Sequence, residues 1–305
     1  MSSGRNGGVD PPETTSSHGA VCGESGTGGQ FHCAIAPVQP RPRPSVPSQV
    51  RSNFWLIGGT SESREVARVL SQAGIPWVAT VTTARATQLY AGLLYAGLPS
   101  VVVGKLTPEA LPEFLHIYGI AGIIDASHPF AVAVSNLAIA TGLPYLRFER
   151  PPVPLEPFVQ VVPALEAVLQ PEMLRDRRVL LATGVKTLHH FRPWLCQADL
   201  WAPGAACGNL SATGDRGGLS TGTHYLQQLP TTFEREYHLW QRLGVDTVIT
   251  KASGEAGGMG LKQAVAKALG TRLVAIARPQ ILYPSCTSTL SEVVTFCSCV
   301  GTGLP

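Results

Sequence analysis

This chain of 305 residues has no long apolar run, no block of like charges and no C-x-x-C pair. Its apolar stretches fall short of the roughly 18 residues that cross a bilayer, and its N-terminus lacks the hydrophobic core of a secretory signal. We therefore expect a cytoplasmic protein without a membrane partner. The formal net charge of +3 and the lack of a basic stripe argue against nucleic acid as a partner.

The seven cysteines are scattered and contain no C-x-x-C pair. Neither a disulfide framework nor a metal site is therefore indicated. One enzyme signature is also missing, because no Tyr is followed four residues later by Lys, as in short-chain dehydrogenases. What is present is a globular composition, with 44% hydrophobic and 14% charged residues, in a chain long enough to bury two cores.

Residues 55–74, WLIGGTSESREVARVLSQAG, predict a buried strand, a glycine turn and an amphipathic helix in immediate succession. Gly58 and Gly59 let the backbone turn sharply, Thr60 or Ser61 can cap the helix, and Glu62 lies in its first turn. The N–H groups of that turn favour an anion over the glycines, such as a dinucleotide pyrophosphate. The full G-x-G-x-x-G fingerprint is absent, so a turn that binds no ligand is the alternative.

The next strand, PWVATVTTAR at residues 76–85, ends where the second strand of a dinucleotide-binding fold meets the adenosine ribose. No acid stands there to hold the ribose 2′-hydroxyl of NADH. Thr82, Thr83 and Arg85 instead offer hydroxyls and a guanidinium that suit a 2′-phosphate. The sequence therefore favours NADPH over NADH as the cofactor.

Strand and helix patterns alternate along the chain, which implies an α/β fold with parallel sheets covered by helices on both faces. The N-terminal part is rich in Gly, Ser and Pro, and a proline cluster, PPVPLEPF, reads as a linker between two domains. We therefore predict a disordered extension at 1–52, an NADPH-binding domain at 53–150, a second α/β domain on the substrate side at 151–285 and a C-terminal tail at 286–305.

One candidate site is DASHPFA at residues 125–131, which places an acid, a hydroxyl and an imidazole directly after a buried strand. Ligands of open α/β sheets bind at this edge. Asp125 would orient His128, which would contact the nicotinamide or the substrate, or move a proton. The alternative is structural, with Asp125 or Ser127 capping the next helix and His128 merely hydrogen-bonded.

A second candidate site, TKASGEAGG at residues 250–258, follows another buried strand in the same way. Lys251 is suited to pair with a carboxylate or phosphate of a ligand, and the alternative is an ordinary solvated lysine. Arg147, Arg150 and Arg278 lie at the ends of other predicted strands and suit bidentate contacts with carboxylates.

Four motifs in order resemble the precorrin-6A reductase family of cobalamin biosynthesis. They are GGTSESREVA, DASHPFA, LATGVKTL, and TKASGEAGGMGLKQAVAKALG followed by VAIARP. The likeness runs from about Phe54 to about Pro284 and leaves out the N-terminal extension. It implies two Rossmann-like domains with a cleft between them, and an enzyme that uses NADPH to reduce a macrocyclic double bond of precorrin-6A or its cobalt-bound counterpart.

The resemblance, together with the strand-end residues described above, assigns expected roles to individual residues. His128, Asp125 and Lys251 would be catalytic; Gly58, Gly59, Thr60, Glu62, Thr82, Thr83, Arg85 and Ser127 would bind the cofactor; and Lys251, Ser253, Gly254, Arg147, Arg150 and Arg278 would bind the tetrapyrrole. Positioning should dominate catalysis, because a conjugated imine is already electrophilic. One departure from the family is the stretch ARATQLYAGLLYAG at 84–97, where a glycine-rich segment is common.

Other functions stay open at this point. One is a different NADP-dependent reductase or epimerase that acts on a small metabolite, and another is a non-catalytic NADP(H) sensor. A tetrapyrrole methyltransferase that uses S-adenosylmethionine is a third, although the missing acid after the second strand argues against it. A monomer or a weak homo-oligomer is expected.

Overall fold

The computed structural model describes residues 53–93, 101–202, 208–211, 220–221 and 231–302, so the predicted extension at 1–52 lies outside the described residues. The helices are α1 (Ser61–Gln72), α2 (Leu111–Tyr118), α3 (Val132–Ile139), α4 (Pro171–Leu174), α5 (Phe233–Leu243), α6 (Met259–Leu269) and α7 (Leu290–Thr302). The strands are β1 (Asn53–Ile57), β2 (Trp77–Val81), β3 (Val101–Val103), β4 (Ile120–Asp125), β5 (Tyr145–Phe148), β6 (Gln160–Val162), β7 (Arg178–Ala182), β8 (Asp199–Ala202), β9 (Gly208–Ser211), β10 (Ser220–Thr221), β11 (Thr247–Lys251), β12 (Arg272–Ile276) and β13 (Cys286–Thr287).

The first sheet is parallel throughout and has the strand order β13-β5-β4-β1-β2-β3. The chain leaves β1 towards β2 on one side and leaves β4 towards β5 on the other, so a topological switch point lies between β1 and β4. Open α/β sheets bind ligands in the crevice at the carboxyl ends of such strands. This sheet, with the helices that cover it, is called the first lobe.

The first sheet is buried on both faces, as expected for parallel strands. Leu56 and Val66 belong to a core under α1 and α7, whereas Trp55 and Phe114 belong to the core under α2 and α3 on the other face. The indole N–H of Trp55 is satisfied by the hydroxyl oxygen of Thr80 at 2.9 Å. The continuous apolar run that predicted a central strand is therefore explained by burial of both of its faces.

The second sheet has the order β10-β9-β8-β7-β11-β12-β6 and forms the second lobe with its helices. Its pairs from β8 to β6 are parallel, and β9 and β10 add antiparallel strands at one edge. Here β7 connects onward to β8 and β11 to β12, in opposite directions, so a second switch point lies between β7 and β11. The α/β prediction, with two parallel sheets, is confirmed.

The predicted C-terminal tail at 286–305 requires a correction. After the second sheet the chain returns to the first, where β13 pairs with β5 and α7 covers the face next to α1. Val293 is fully buried there, and the rings of Phe296 and Phe54 meet edge to face at 6.2 Å. Burial of this apolar helix face explains the return, because the first sheet would otherwise leave an apolar surface exposed.

The segment after β7 is a 3₁₀-helix over Val185–Trp194, and α5 contributes the buried Trp240 to the core of the second lobe. Among the described residues, no helix is long and apolar enough to cross a membrane. Both sheets lie within one compact unit, residues 49–305.

Candidate active site

The turn between β1 and α1 is stabilised by hydrogen bonds of its own polar side chains. Thr60 caps α1, its hydroxyl accepts from the N–H of Ser63 at 3.0 Å, and the Ser63 hydroxyl oxygen accepts from the N–H of Thr60 at 3.0 Å. The Thr60 hydroxyl also donates to the carbonyl of Ala126 at 2.8 Å, which ties this turn to the loop after β4. Ser63 therefore has a structural role in closing this turn.

Tyr90 is the residue of this turn that sequence reasoning missed. Its side chain is buried under the glycines, where the hydroxyl contacts the Ser63 hydroxyl at 2.7 Å and accepts from the N–H of Gly59 at 3.1 Å. A Cβ on Gly58 would lie 2.1 Å from the Tyr90 hydroxyl oxygen, whereas Gly59, at φ +96°, has nothing within 4 Å of its Cβ position. Gly58 therefore makes room for Tyr90, and Gly59 leaves the surface of the turn open.

A cavity of about 500 Å³ opens beside this turn, at the end of β2. Gly59, Arg64, Thr83 and Arg85 line it, together with residues of the 3₁₀-helix that begins at Ala84. Thr82 is exposed and outside the lining, so its predicted role stays a prediction. Arg64 was missed, although its place in α1, just after the capped turn, is a signal for an anion contact. The guanidinium groups of Arg64 and Arg85 therefore both line this cavity beside the glycine turn.

Asp125 is fully buried at the end of β4 and serves as an acceptor for its neighbours. Its carboxylate accepts from the Ser127 N–H at 3.0 Å, the Ser135 hydroxyl at 2.6 Å, the Tyr145 hydroxyl at 2.7 Å and the Arg147 guanidinium at 2.8 Å. Asp125 therefore does not orient His128 as expected, because its carboxylate is bonded to buried neighbours and His128 is not among them. Asp125 therefore holds the loop after β4 from inside, but it does not cap α3, whose N-terminus has no side-chain cap.

Arg147 is the buried partner of Asp125, and its predicted contact with a tetrapyrrole needs correction. The residue is only 1% exposed, because β5 places it directly beside Asp125 in the sheet. It donates to the hydroxyl and the carbonyl of Ser127, each at 3.1 Å, and lies over the ring of Tyr283. Arg147 therefore fixes the loop that begins with Ser127 from inside and does not reach a ligand.

His128 stands at the surface of the same loop, where its Nδ1 accepts from the N–H of Phe130 at 3.2 Å. Desolvation of the ring, and then repulsion by Lys251, Arg150 and Arg147, lower its pKa to about 4. The imidazole is therefore neutral near pH 7, and a proton donor that must be an imidazolium does not fit its surroundings. A neutral ring remains able to donate or accept one hydrogen bond.

This lowered pKa predicts a pH dependence of stability. Between pH 6.5 and about 4, the unfolded chain binds a proton at His128 that the folded chain does not, so the free energy of unfolding falls as the pH is lowered through this window. We expect His128→Ala to lose less stability than the parent between pH 7 and pH 4.5, as measured by urea unfolding. His189→Ala, at an exposed position, is the matched control, and an equal loss in both variants would contradict the prediction.

The loop after β11 brings the second lobe against the loop that carries His128. The Lys251 ammonium lies 5.1 Å from the centre of the Phe130 ring, and Phe130 itself packs on the core of the second lobe. Ser253 is buried and turned towards Gly257, so its hydroxyl faces the protein. Of the side chains in this loop that were predicted to bind a ligand, that of Lys251 therefore remains half-exposed at the junction of the lobes.

Arg278 and Arg150 converge on Gly254, where a Cβ would come within 2.9 Å of both side chains. Arg278 donates to the Glu149 carboxylate at 3.0 Å and to the carbonyls of Arg150 and Ala252 at 3.1 and 2.9 Å, so it joins the two lobes. Its Nη2 atom is buried without a hydrogen-bond partner among the described residues, so its predicted contact with the substrate stays a prediction.

Arg150 forms an ion pair with Glu62, whose carboxylate is thereby turned towards the linker. These two residues line a cavity of about 700 Å³ together with prolines of the linker and Glu255 of the second lobe. Of the three arginines predicted to bind the substrate, Arg150 therefore faces the cavity between the lobes. Glu62 lies beside Arg150 and not over the glycine turn. Among the described residues, no three His, Cys, Asp or Glu side chains form a metal-binding group.

Comparison with known proteins matches residues 53–298 to the family described as Precorrin-6x reductase CbiJ/CobK. A cobalt-precorrin-6A reductase of Synechocystis sp. is 39% identical over 253 residues, 81% of this chain and 96% of that protein. A cobalt-precorrin-6A reductase of Priestia megaterium is 32% identical over 78% of this chain and 95% of that protein. The solved structure of CobK precorrin-6A reductase has a similar fold, with a TM-score of 0.63 at 24% identity over 82% of this chain and 97% of that one.

Proposed function

The chain belongs to the precorrin-6x reductase family, and from that premise we propose that it reduces a macrocyclic double bond of precorrin-6A, in its cobalt-bound form, with NADPH as the reductant. It is an oxidoreductase of cobalamin biosynthesis that acts on a carbon–carbon double bond. The cobalt-bound form is favoured because the relatives of Synechocystis sp. and Priestia megaterium are both named cobalt-precorrin-6A reductases. The expectation drawn from the four sequence motifs is confirmed at the level of the family.

The observation that supports NADPH is the cavity beside the glycine turn. Gly59 presents open backbone at the N-terminus of α1, which suits a pyrophosphate. Arg64 and Arg85 line the adjoining cavity, and the described residues place no acid in an ion pair with either. Two guanidinium groups without a carboxylate partner suit a 2′-phosphate. When bound, NADPH would supply the hydride.

The remaining work of the protein is to position the macrocycle, which carries several carboxylate side chains. Lys251 and Arg150 lie on opposite sides of the junction between the lobes, and both are suited to bind such carboxylates. His128, neutral near pH 7, would donate or accept a hydrogen bond near the reacting ring. Burial of Arg147 under Ser127 would keep this loop fixed while the ligand binds. The site therefore favours catalysis by orientation.

Turnover is tested by anaerobic oxidation of NADPH, followed by absorbance, with cobalt-bound and metal-free precorrin-6A offered separately. We expect faster oxidation with the cobalt-bound substrate and a product heavier by two hydrogens. NADH is the cofactor control. NADPH binding without oxidation in either reaction would contradict the proposal and favour another substrate or a sensor. The cytoplasm is the location we propose, and a monomer or weak homo-oligomer stays the prediction.

The proposed 2′-phosphate contact predicts a change in cofactor preference. Arg85→Ala is expected to raise the KM for NADPH about tenfold, since a charge-assisted contact contributes roughly 1.5–3 kcal/mol before solvent screening, while the KM for NADH stays the same. Arg64→Ala should act in the same direction. Arg175→Ala, an exposed arginine of the second lobe, is the control. Equal changes for both nicotinamides would rule out the 2′-phosphate as the partner.

A further inference from the structure

The 3₁₀-helix over Ala84–Tyr90 connects the two ends of the proposed cofactor site. It begins beside the cavity that Thr83 and Arg85 line at the end of β2, and it ends at Tyr90, whose hydroxyl lies beneath the glycine turn. The proposed function assigns the 2′-phosphate of NADPH to the first end and the pyrophosphate to the second. One short segment therefore links the contacts of two groups that belong to the same cofactor.

Tyr90 attaches this segment to the turn. Its side chain is fully buried against the ring of Trp77, with the ring centres 5.8 Å apart, and its hydroxyl oxygen accepts from the N–H of Gly59. Because the Ser63 hydroxyl donates to the Thr60 carbonyl at 2.7 Å, Tyr90 is the donor in its own bond to Ser63. Burial raises the pKa of the phenol, so the proton needed for that bond stays in place. Tyr90 therefore supplies two hydrogen bonds between the segment and the turn.

The turn has further hydrogen bonds that do not involve Tyr90, whereas the bonds within the segment are local. The turn keeps the capping box at the start of α1, and the N–H of Gly58 donates to a carbonyl of β2 at 3.0 Å. In the segment, the Thr83 side chain accepts from the N–H of Ala86 at 3.3 Å, and 3₁₀-helices have poorer hydrogen-bond geometry than α-helices. Loss of the Tyr90 hydroxyl would therefore release the segment that carries Arg85 more than it would release the turn.

We propose that Tyr90 is a positioning residue for cofactor selectivity, which fixes Arg85 relative to the glycine turn so that one NADPH molecule makes its 2′-phosphate and pyrophosphate contacts together. This inference rests on the proposed function, since that function supplies NADPH. Two contacts on a rigid frame bind more tightly than the same contacts on independent parts, because binding then orders fewer groups. NADH has no 2′-phosphate and gains nothing from the fixed spacing. Tyr90 therefore increases the preference for NADPH without contacting the 2′-phosphate.

The test is a mutant cycle of Tyr90→Phe, Arg85→Ala and their combination, with the dissociation constants of NADPH and NADH measured by isothermal titration. We expect Tyr90→Phe to weaken NADPH binding about tenfold, the effect of a lost hydrogen bond, and NADH binding less than about twofold. If Tyr90 acts through Arg85, the combined variant also loses about tenfold, whereas independent effects would multiply to about a hundredfold and overturn the proposal. Tyr118→Phe, in α2 on the other face of the first sheet, is the control. An equal loss for NADH in Tyr90→Phe would indicate a merely structural role and would also overturn it.

A shorter ligand tests whether the contact of Arg85 itself stays intact. Adenosine 2′-monophosphate carries the 2′-phosphate and no pyrophosphate, so it should bind Tyr90→Phe as tightly as the parent protein and bind Arg85→Ala more weakly. A loss in Tyr90→Phe equal to that for NADPH would show that the hydroxyl maintains only the cavity of Arg85, and would overturn the proposal.

These titrations need no precorrin substrate, which separates this inference from a failure of the proposed function. If the parent protein does not turn over precorrin-6A, the expected pattern of dissociation constants still supports the role of Tyr90. If the parent protein reduces precorrin-6A and Tyr90→Phe keeps the full preference for NADPH, the inference is overturned and the proposed function stands.

Discussion

Asp125→Ala is expected to lower the free energy of unfolding by about 3–5 kcal/mol, because it leaves the buried guanidinium of Arg147 without its counter-charge. The pair is 2.8 Å apart, with the two side chains 1% and 0% exposed. The substitution also takes an acceptor from the hydroxyls of Ser135 and Tyr145. Unfolding in urea, followed by circular dichroism, measures the loss.

The matched control is Asp199→Ala, which breaks an ion pair with Arg178 at the surface. Exposed pairs contribute about 0–1 kcal/mol, so this variant should unfold close to the parent. Adding Arg147→Met to Asp125→Ala removes the stranded charge, and part of the lost stability should return. If Asp125→Ala were as stable as Asp199→Ala but inactive, Asp125 would have a catalytic role after all, and the structural assignment would be wrong.

Gly58→Ala is expected to weaken NADPH binding by about a hundredfold. The new methyl group would occupy the position 2.1 Å from the Tyr90 hydroxyl oxygen, and either Tyr90 or the turn must then move. Tyr90 is buried beneath the turn and bonded to Ser63 and Gly59, so the displacement would pass to the backbone that we propose faces the pyrophosphate. Overpacking of this kind typically costs about 1–3 kcal/mol, and isothermal titration measures its effect on the dissociation constant.

A second substitution distinguishes this clash from a general loss of folding. Gly58→Ala combined with Tyr90→Phe removes the oxygen that the methyl group meets, so part of the affinity should return. Gly301→Ala in α7, where nothing lies within 4 Å of the new Cβ, should bind NADPH as the parent does. Full affinity in Gly58→Ala would show that the glycine turn does not contact the cofactor.

The elements that sequence patterns predicted well are those whose pattern follows from burial alone. The run at β1 and the strands before DASHPFA and TKASG are apolar because both faces of a parallel sheet are covered, and each was placed correctly. The roles of side chains at strand ends were harder to predict, because an arginine after a strand can point inwards or outwards. Arg147 and Arg150 are only three residues apart, yet one is sealed under Ser127 and the other faces a cavity.

Contacts between distant parts of the chain were beyond the reach of local patterns. Tyr90 approaches the glycine turn from a segment that had been noted only as a departure from the family. Arg278 reaches Glu149 across the two lobes, and nothing near either residue in the sequence indicates the other.

The return of the chain to the first sheet sets the order of events during synthesis. Cys286 in β13 pairs with Arg147 in β5, and the whole second sheet is made between them. When the second sheet has been synthesised, the first lobe still lacks β13 and α7, so the apolar surface that α7 covers is exposed to water. The second lobe already has all of its strands at that stage. Pairing between such distant segments slows folding, so we expect the first lobe to complete its folding only after the second lobe has been made.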